Sequence, residues 1–202
     1  MPLLYLETNY LVGVATGRYP EVTALLPAVP PSVRLILPSA CVMEALAAVE
    51  NEQSRRRSLT GQLDYQIKQL VEGVESPRAV ALVAKLEQAR VENDALVNDI
   101  QARLFDAITS LTTVAGLIDP GPATIRQSLQ QQLVAQPTDN LILHTITSQA
   151  AGAGAEQKVF FTANVDDFRR GEAGRALIGS GVRKFLRTYA SLLRWLSYAS
   201  TH

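Results

Sequence analysis

Two apolar runs in this chain end in clusters of oxygen-bearing side chains. "KVFFTANVDDF" (158–168) runs a strand-like stretch straight into Thr162, Asn164, Asp166 and Asp167, and "PLLYLETN" (2–9) ends in Glu7, Thr8 and Asn9. Another carboxylate, Glu44, sits inside the apolar stretch "CVMEALAAV", where a charge without a partner is costly to bury. A further one, Asp139, opens the periodic segment "TDNLILHTITSQA". Singly, each has a plain explanation. Glu44 could pair with Arg34 or lie on the polar stripe of its helix, Asp139 could be a helix cap, and the others could be ordinary strand-end or turn residues. Taken together they make a different chemistry, because crowded carboxylates repel and call for cations between them. Hard oxygen donors without His or Cys suit Mg²⁺ or Mn²⁺. Such an ion acts on phosphates as a Lewis acid or by generating a bound hydroxide.

The elements needed to bring these groups together are legible as periodicity. Short apolar runs predict strands over 2–6, 33–38, 158–163 and, more weakly, "GVRKFL" at 181–186. Ser39 is the expected N-cap of a helix carrying Glu44, and Thr138 or Asp139 the expected cap of a helix over 138–150. Strands alternating with helices argue for a parallel sheet covered on both faces. In an open sheet of that kind, ligands bind outside the carboxyl ends of the strands, where strand order reverses. The carboxylates therefore belong to one edge.

Residues 51–111 differ. Leu59, Leu63, Ile67, Leu70 and Val74 form one helical stripe, and Leu82, Leu86, Ala89, Leu96, Ile100, Leu104, Ile108 and Leu111 most of a second. "ESPRAV" breaks them, with Pro77 suited to a first helical turn. The pattern predicts a long antiparallel helical hairpin inserted after the second strand, whose stripes serve packing within the subunit or against a second copy. "AAGAGAEQ" (150–157) is expected to be a helix end, its glycines fitting neither dinucleotide nor P-loop spacing.

The composition is that of a globular chain. Of 202 residues, 47% are hydrophobic and 19% charged, with zero formal net charge, so no global field draws the protein to nucleic acid. The charge is nonetheless uneven along the chain. From residue 158 onward, Lys158, Arg169, Arg170, Arg175, Arg183, Lys184, Arg187 and Arg194 stand against only Asp166, Asp167 and Glu172. Alone, that basic tail reads as a solvated helix face. The single cysteine, Cys41, excludes an internal disulfide and suits a small buried position. With only His144 and His202 beside it, a zinc cluster is excluded as well. The absence of a long apolar run and of a charged leader predicts a cytoplasmic protein without a membrane span.

The ordered segments "YLETNYLV", "LPSACVMEAL", "PTDNLILHTI" and "FFTANVDDF" resemble the four acidic motifs of PIN-domain nucleases, which include the toxin ribonucleases of toxin–antitoxin pairs and larger stand-alone PIN-like proteins. In that family a strand is followed by an acid, Thr or Ser, and Asn; then come a lone Glu on a helix, an Asp opening a helix, and Thr-x-Asn/Asp with an Asp before Phe. This chain departs in having Glu7 where the family has Asp, Asn164 where many members have Asp, and a larger helical insertion than the compact toxins.

The resemblance implies a single three-layer α/β/α domain over 1–202, with a central parallel sheet and the 51–111 hairpin inserted in it. It implies a Mg²⁺- or Mn²⁺-dependent endoribonuclease whose products carry a 5′-phosphate and a 3′-hydroxyl. Glu7, Glu44, Asp139 and Asp167 would hold the metal with help from Asn164, oriented by Thr8, Asn9 and Thr162. Asp166 would stand behind them, since the Asp next to Phe168 is the one that matches the motif. Arg169, Arg170, Arg175, Arg183, Lys184 and Arg187 would touch RNA phosphates, which position a strand without reading it. An antitoxin protein and a homodimer are the expected partners. The competing expectation is a non-catalytic PIN-like module that binds RNA or protein, with Glu7 marking a degenerate site.

Overall fold

The computed structural model describes residues 1–17, 29–72, 76–154 and 156–199. Val74 of the expected hairpin stripe, Ala155 of the 150–157 segment and His202 fall outside them. Among the described residues, five strands form one all-parallel sheet: β1 (Leu3–Tyr5), β2 (Arg34–Pro38), β3 (Ala115–Ile118), β4 (Lys158–Phe161) and β5 (Val182–Leu186), in the order β3-β2-β1-β4-β5. The central strands are continuous apolar runs because both sheet faces are covered. Leu3, Leu4 and Tyr5 are buried throughout, as are Lys158–Phe161.

Four of these strands lie where the apolar runs predict them. The fifth, β3, has no counterpart in the sequence reading. Its four residues "AGLI" follow a helix without a break, and half of them are exposed at the sheet edge. They therefore lack the apolar contrast that marks a buried strand.

Each crossover is helical. α1 (Thr8–Thr16) joins β1 to β2 and ends at Gly17, whose φ of 63° places it in the left-handed region that glycine enters without a Cβ clash. Between β2 and β3 run α2 (Ser39–Val71) and α3 (Pro77–Val114). α4 (Pro122–Gln130) and α5 (Pro137–Gly152) lead to β4. α6 (Val165–Arg169) and α7 (Gly171–Gly179) lead to β5, and α8 (Tyr189–Ala199) follows it. α1 packs against α2 and α3, whereas α5 packs against α4 and α7. That division is what right-handed crossovers require, since the chain first steps outward from β1 and then returns to its other side.

Two helix starts differ from expectation. Ser39 is the first residue of α2, and the capping position is Pro38, without a side-chain cap. α5 begins two residues before Asp139, after Gln136, with Pro137 in its first turn. In both cases proline decides, because its fixed φ suits a helix entrance. Neither Thr138 nor Asp139 is the cap, and Asp139 is a first-turn residue.

The hairpin is antiparallel and longer than expected. At 33 and 38 residues, its helices extend about 50 Å or more, far beyond strands of three to five residues. The near half joins the core through Cys41, Ala45 and Val49 on α2 and Ile100, Leu104 and Leu111 on α3. The far half adds side-chain hydrogen bonds to the apolar stripes expected there. Gln53 Nε2 donates to Gln101 Oε1 at 2.9 Å, Asn93 Nδ2 to Thr60 Oγ1 at 3.0 Å, and Arg90 Nη1 to Asp64 Oδ1 at 3.1 Å. Leu59, Leu82 and Ala89 of the expected stripes are exposed. These polar contacts run beside Leu63, Ile67, Leu70 and Leu86 of the expected stripes, which are half-buried.

Candidate metal centre

The chain steps outward from β1 to β2 and β3 and then returns to β1's other side as β4, so strand order reverses between β1 and β4, the place where such sheets bind ligands. Glu7 leaves β1 at this point as the N-cap of α1. Its Oε2 accepts from the Asn9 backbone N–H at 3.1 Å and its Oε1 from Asn9 Nδ2 at 2.8 Å. From the β4 side, the Ala163 N–H donates to Oε1 at 3.3 Å. Glu7 is only 2% exposed. Burial pushes its carboxyl above the usual carboxylate range, with bonds from Asn9, Thr162 and Ala163 pulling the other way. The carboxylate closes the switch point.

The other expected groups gather around it. The Thr8 hydroxyl donates to Glu44 Oε2, tying α1 to α2, and among the described residues Glu44 makes no ion pair with Arg34. Asp139 is half-buried at the start of α5, and its carboxyl is pushed up to about 6 by burial and by the negative charges of Glu44 and Asp167. That shift records proximity among three segments, since like charges disfavour ionisation only at short range. Asn164 Nδ2 donates to Asp167 Oδ2 at 2.7 Å, and the Asn164 N–H donates to Thr162 Oγ1 at 3.0 Å. Thr162 also bonds to Glu7, so the two strand ends share one polar network.

Asp166 is turned away. It is exposed and pairs with Arg170 Nη2 at 3.0 Å, one helical turn along.

The donors are all oxygen and mostly anionic, the set that Mg²⁺ and Mn²⁺ take. Among the described residues, no three His, Cys, Asp or Glu side chains stand close enough to hold one ion between them. The four acidic segments thus meet at one edge, with their carboxyl groups spread around it rather than closed on a point. Cys41 lies beneath, fully buried and in contact with Thr8. Burial raises its thiol, and Glu7 and Glu44 raise it further, so it is protonated at neutral pH and no nucleophile.

The six expected RNA-contacting cations are exposed but do not form one surface. Arg187 follows β5 at the acidic edge. Arg183 and Lys184 line a cavity of about 660 Å³ with Lys158 and Gly181, at the opposite edge where β4 and β5 begin. Arg170 and Arg175 are engaged with Asp166 and Glu172, at 3.0 and 3.8 Å.

Two supporting groups were missed in the sequence, and only the second carries a signal there. The Ala163 N–H that reaches Glu7 is a backbone donor, which any residue but proline supplies. Asn140 is buried next to Asp139 and ties down the approach to α5: its Oδ1 accepts from the Leu133 and Val134 N–H groups, at 2.8 and 3.3 Å, while Nδ2 donates to the Ser128 carbonyl at 2.7 Å. An asparagine inside a helix that holds the preceding loop this way could have been suspected from its position alone.

No described helix is long and apolar enough to cross a membrane. Neither a protein-family model nor a curated protein sequence matches the chain.

Proposed function

We propose that this protein is a Mg²⁺- or Mn²⁺-dependent endoribonuclease of the PIN type, with one domain over 1–202 and the 51–111 hairpin as an insertion. The observation that carries the reading is the strand-end network, in which Glu7 accepts from the Ala163 N–H, Glu44 accepts from the Thr8 hydroxyl and Asn164 holds Asp167. Burial, with the charges of Glu44 and Asp167, pushes the Asp139 carboxyl beside them to about 6. A fold gathers acids that disfavour one another at a switch point when something other than stability selects the arrangement.

In this reading Glu7, Glu44, Asp139 and Asp167 would hold the ion once their carboxyl groups draw closer than they stand in this structure, with Asn164 offering its carbonyl oxygen. When bound, the ion supplies charge for the scissile phosphate and acidity for the attacking water. The chain's own residues do the positioning. Thr8 aims Glu44, Asn9 and the Ala163 N–H hold Glu7, and Thr162 fixes the backbone from which Asn164 and Asp167 project. Arg187 and Arg169 hold phosphates on either side. RNA is the substrate, an antitoxin protein the partner that would shield the acidic edge, and the exposed apolar residues of the hairpin the contact for a homodimer.

The experiment is cleavage of a labelled RNA with and without Mn²⁺, beside thermal melts under the same conditions. The reading expects Mn²⁺-dependent cuts and a melting temperature raised by the ion. A wild type that cuts no RNA and melts identically with and without divalent ions would replace it with a non-catalytic RNA- or protein-binding module. One observation favours that second reading: the Glu7 carboxylate is already engaged by three N–H donors.

A further inference from the structure

Three cavities, of about 660, 440 and 290 Å³, adjoin one another because the Lys184 side chain lines all of them. Arg183 lines the largest, Trp195 and Tyr198 the other two, and Arg194 the smallest. Lys158 also borders the largest, but its ammonium is occupied: it donates to the Ala153 carbonyl at 2.9 Å and the Ser180 carbonyl at 3.5 Å, at the ends of α5 and α7. Arg183, Lys184 and Arg194 are exposed and in no ion pair among the described residues. Glu156 is the sole carboxylate lining any of the three cavities.

The depression has a direction. α8 starts beside the acidic cluster, where the Tyr189 hydroxyl donates to the Asn9 carbonyl at 3.4 Å. It ends at the opposite edge, where Ser32 Oγ donates to the Ala199 carbonyl at 2.9 Å. β5 is an edge strand, so no further strand covers its outer side. Lys184, Leu186, Ser191, Arg194, Trp195 and Tyr198 therefore line a channel between β5 and α8, which Lys184 joins to the cavities at the far edge of the sheet.

We propose that this β5–α8 channel binds a single-stranded RNA segment outside the reaction centre, with its phosphates on Arg183, Lys184 and Arg194 and a base on Tyr198, the buried Trp195 lying beneath the channel wall. The assignment of the polyanion as RNA rests on the function proposed above. Cations alone would suit any polyanion. Tyr198 beside them distinguishes the ligand, because unpaired bases stack on aromatic rings whatever their sequence, while cations track the backbone. Tyr198 is 64% exposed and lines two of the three cavities. The channel gives a substrate an anchor that the acidic edge, itself repulsive to phosphates without its ion, does not supply.

Trp195 is the only tryptophan in the chain, so intrinsic fluorescence reports on the channel directly. The measurement is a titration with a short oligouridylate in EDTA, where no cleavage intervenes, with polyglutamate as a second probe. Oligouridylate should quench Trp195 saturably, with an affinity that falls as salt rises. Tyr198→Ala should weaken binding on the order of ten-fold, as loss of one stacked base does, and Tyr198→Phe should restore it. Lys184→Glu with Arg194→Glu should weaken it further and flatten the salt dependence.

Variants that bind as wild type does would overturn the channel, as would polyglutamate quenching Trp195 where oligouridylate does not, which would assign the surface to an acidic protein. The two proposals fail separately. A wild type that cuts RNA while the channel variants bind and cut normally removes only the channel. One that fills the channel yet never cuts removes only the reaction.

Discussion

Asn164 Nδ2 donates to Asp167 Oδ2 at 2.7 Å, and this bond separates two adjacent aspartates that the sequence leaves side by side. Asp167 is held toward the switch point, within electrostatic reach of Asp139. Asp166 faces the other way, toward Arg170. One residue of helical rotation, about 100°, is enough to aim one exposed carboxylate toward Asp139 and the other toward Arg170.

Asp166→Asn should therefore leave Mn²⁺-dependent cleavage intact and shift stability by less than about 0.5 kcal/mol, as loss of an exposed ion pair does. Asp167→Asn should abolish cleavage. Parallel assays of the two variants decide it: equal loss in both would mean that the pair acts as a unit.

Asp139 predicts a pH dependence of known sign. Its carboxyl titrates near 3.8 when unperturbed and near 6 in the fold. A raised folded value means that the folded state binds the proton more tightly, so stability is present below about 3.8 and is lost as pH rises through about 6. Asp139→Asn removes the titration. The variant should melt above wild type at pH 7 without metal, and the gap should close as pH falls toward 4. Mn²⁺ at pH 7 should narrow the gap from the other side, by raising the wild-type melting temperature more. A gap that widens on acidification would mean that Asp139 is stabilised as an anion.

The parts of the fold that were legible in the sequence are those in which burial forces a pattern. β1, β2 and β4 stand inside a sheet covered on both faces, so their residues had to be apolar in continuous runs. β3 carries no such demand at its exposed edge and escaped notice. The acidic residues were visible by type, since carboxylates next to apolar runs are rare without a reason. Their bonding was not visible, because the Ala163 N–H and the turn that aims Asp167 are properties of the backbone path. The hairpin seam was hidden differently: a search for apolar periodicity passes over Gln53, Asn93 and Gln101, which hold the helices together by hydrogen bonds.

That seam has a measurable stake. Asn93 is 7% exposed, accepts from Arg56 Nη1 at 3.2 Å, and donates to the Arg56 carbonyl at 2.9 Å and to Thr60 Oγ1 at 3.0 Å. Asn93→Ala leaves these partners short of a bond and should cost about 1–3 kcal/mol, partly offset by alanine's better helix propensity of roughly 0.5 kcal/mol. Urea unfolding should register the loss, with cleavage by the folded fraction unchanged because the seam is remote from the acidic edge. A neutral result would move the hairpin's stability back to its leucines.

Gly174 tests how the site's last helix is placed. A Cβ there would sit 2.0 Å from the Arg169 carbonyl oxygen and 2.6 Å from its carbon, both backbone atoms that no rotamer change can clear. Gly174→Ala must push α6 away from α7, and α6 carries Asp167. The expected cost is about 2 kcal/mol or more, the scale of overpacking in a tight interior, together with a smaller Mn²⁺-induced rise in melting temperature. Full retention of that rise would show that Asp167 tolerates the displacement.

Glu7 gives the sharpest test, because its extra methylene has a visible use. The longer side chain lets one carboxylate cap α1 through Asn9 and reach the Ala163 N–H beyond β4. Glu7→Asp keeps the cap, since aspartate is among the best N-cap residues, but draws back from Ala163 and leaves that N–H to water or to Thr162. The fold should lose no more than about 1 kcal/mol, the scale of one neutral hydrogen bond. If the function proposed here holds, Mn²⁺-dependent cleavage should persist or increase, because the carboxylate is released from one of its three N–H donors and stays at the mouth of the site. Glu7→Ala, by contrast, removes both cap and ligand and should lose stability and cleavage together. Cleavage rates and melting temperatures of the two variants, each with and without Mn²⁺, separate the roles. An aspartate variant that folds as wild type but no longer cuts would mean that the reach to Ala163, rather than a free carboxylate, is what the site requires of Glu7.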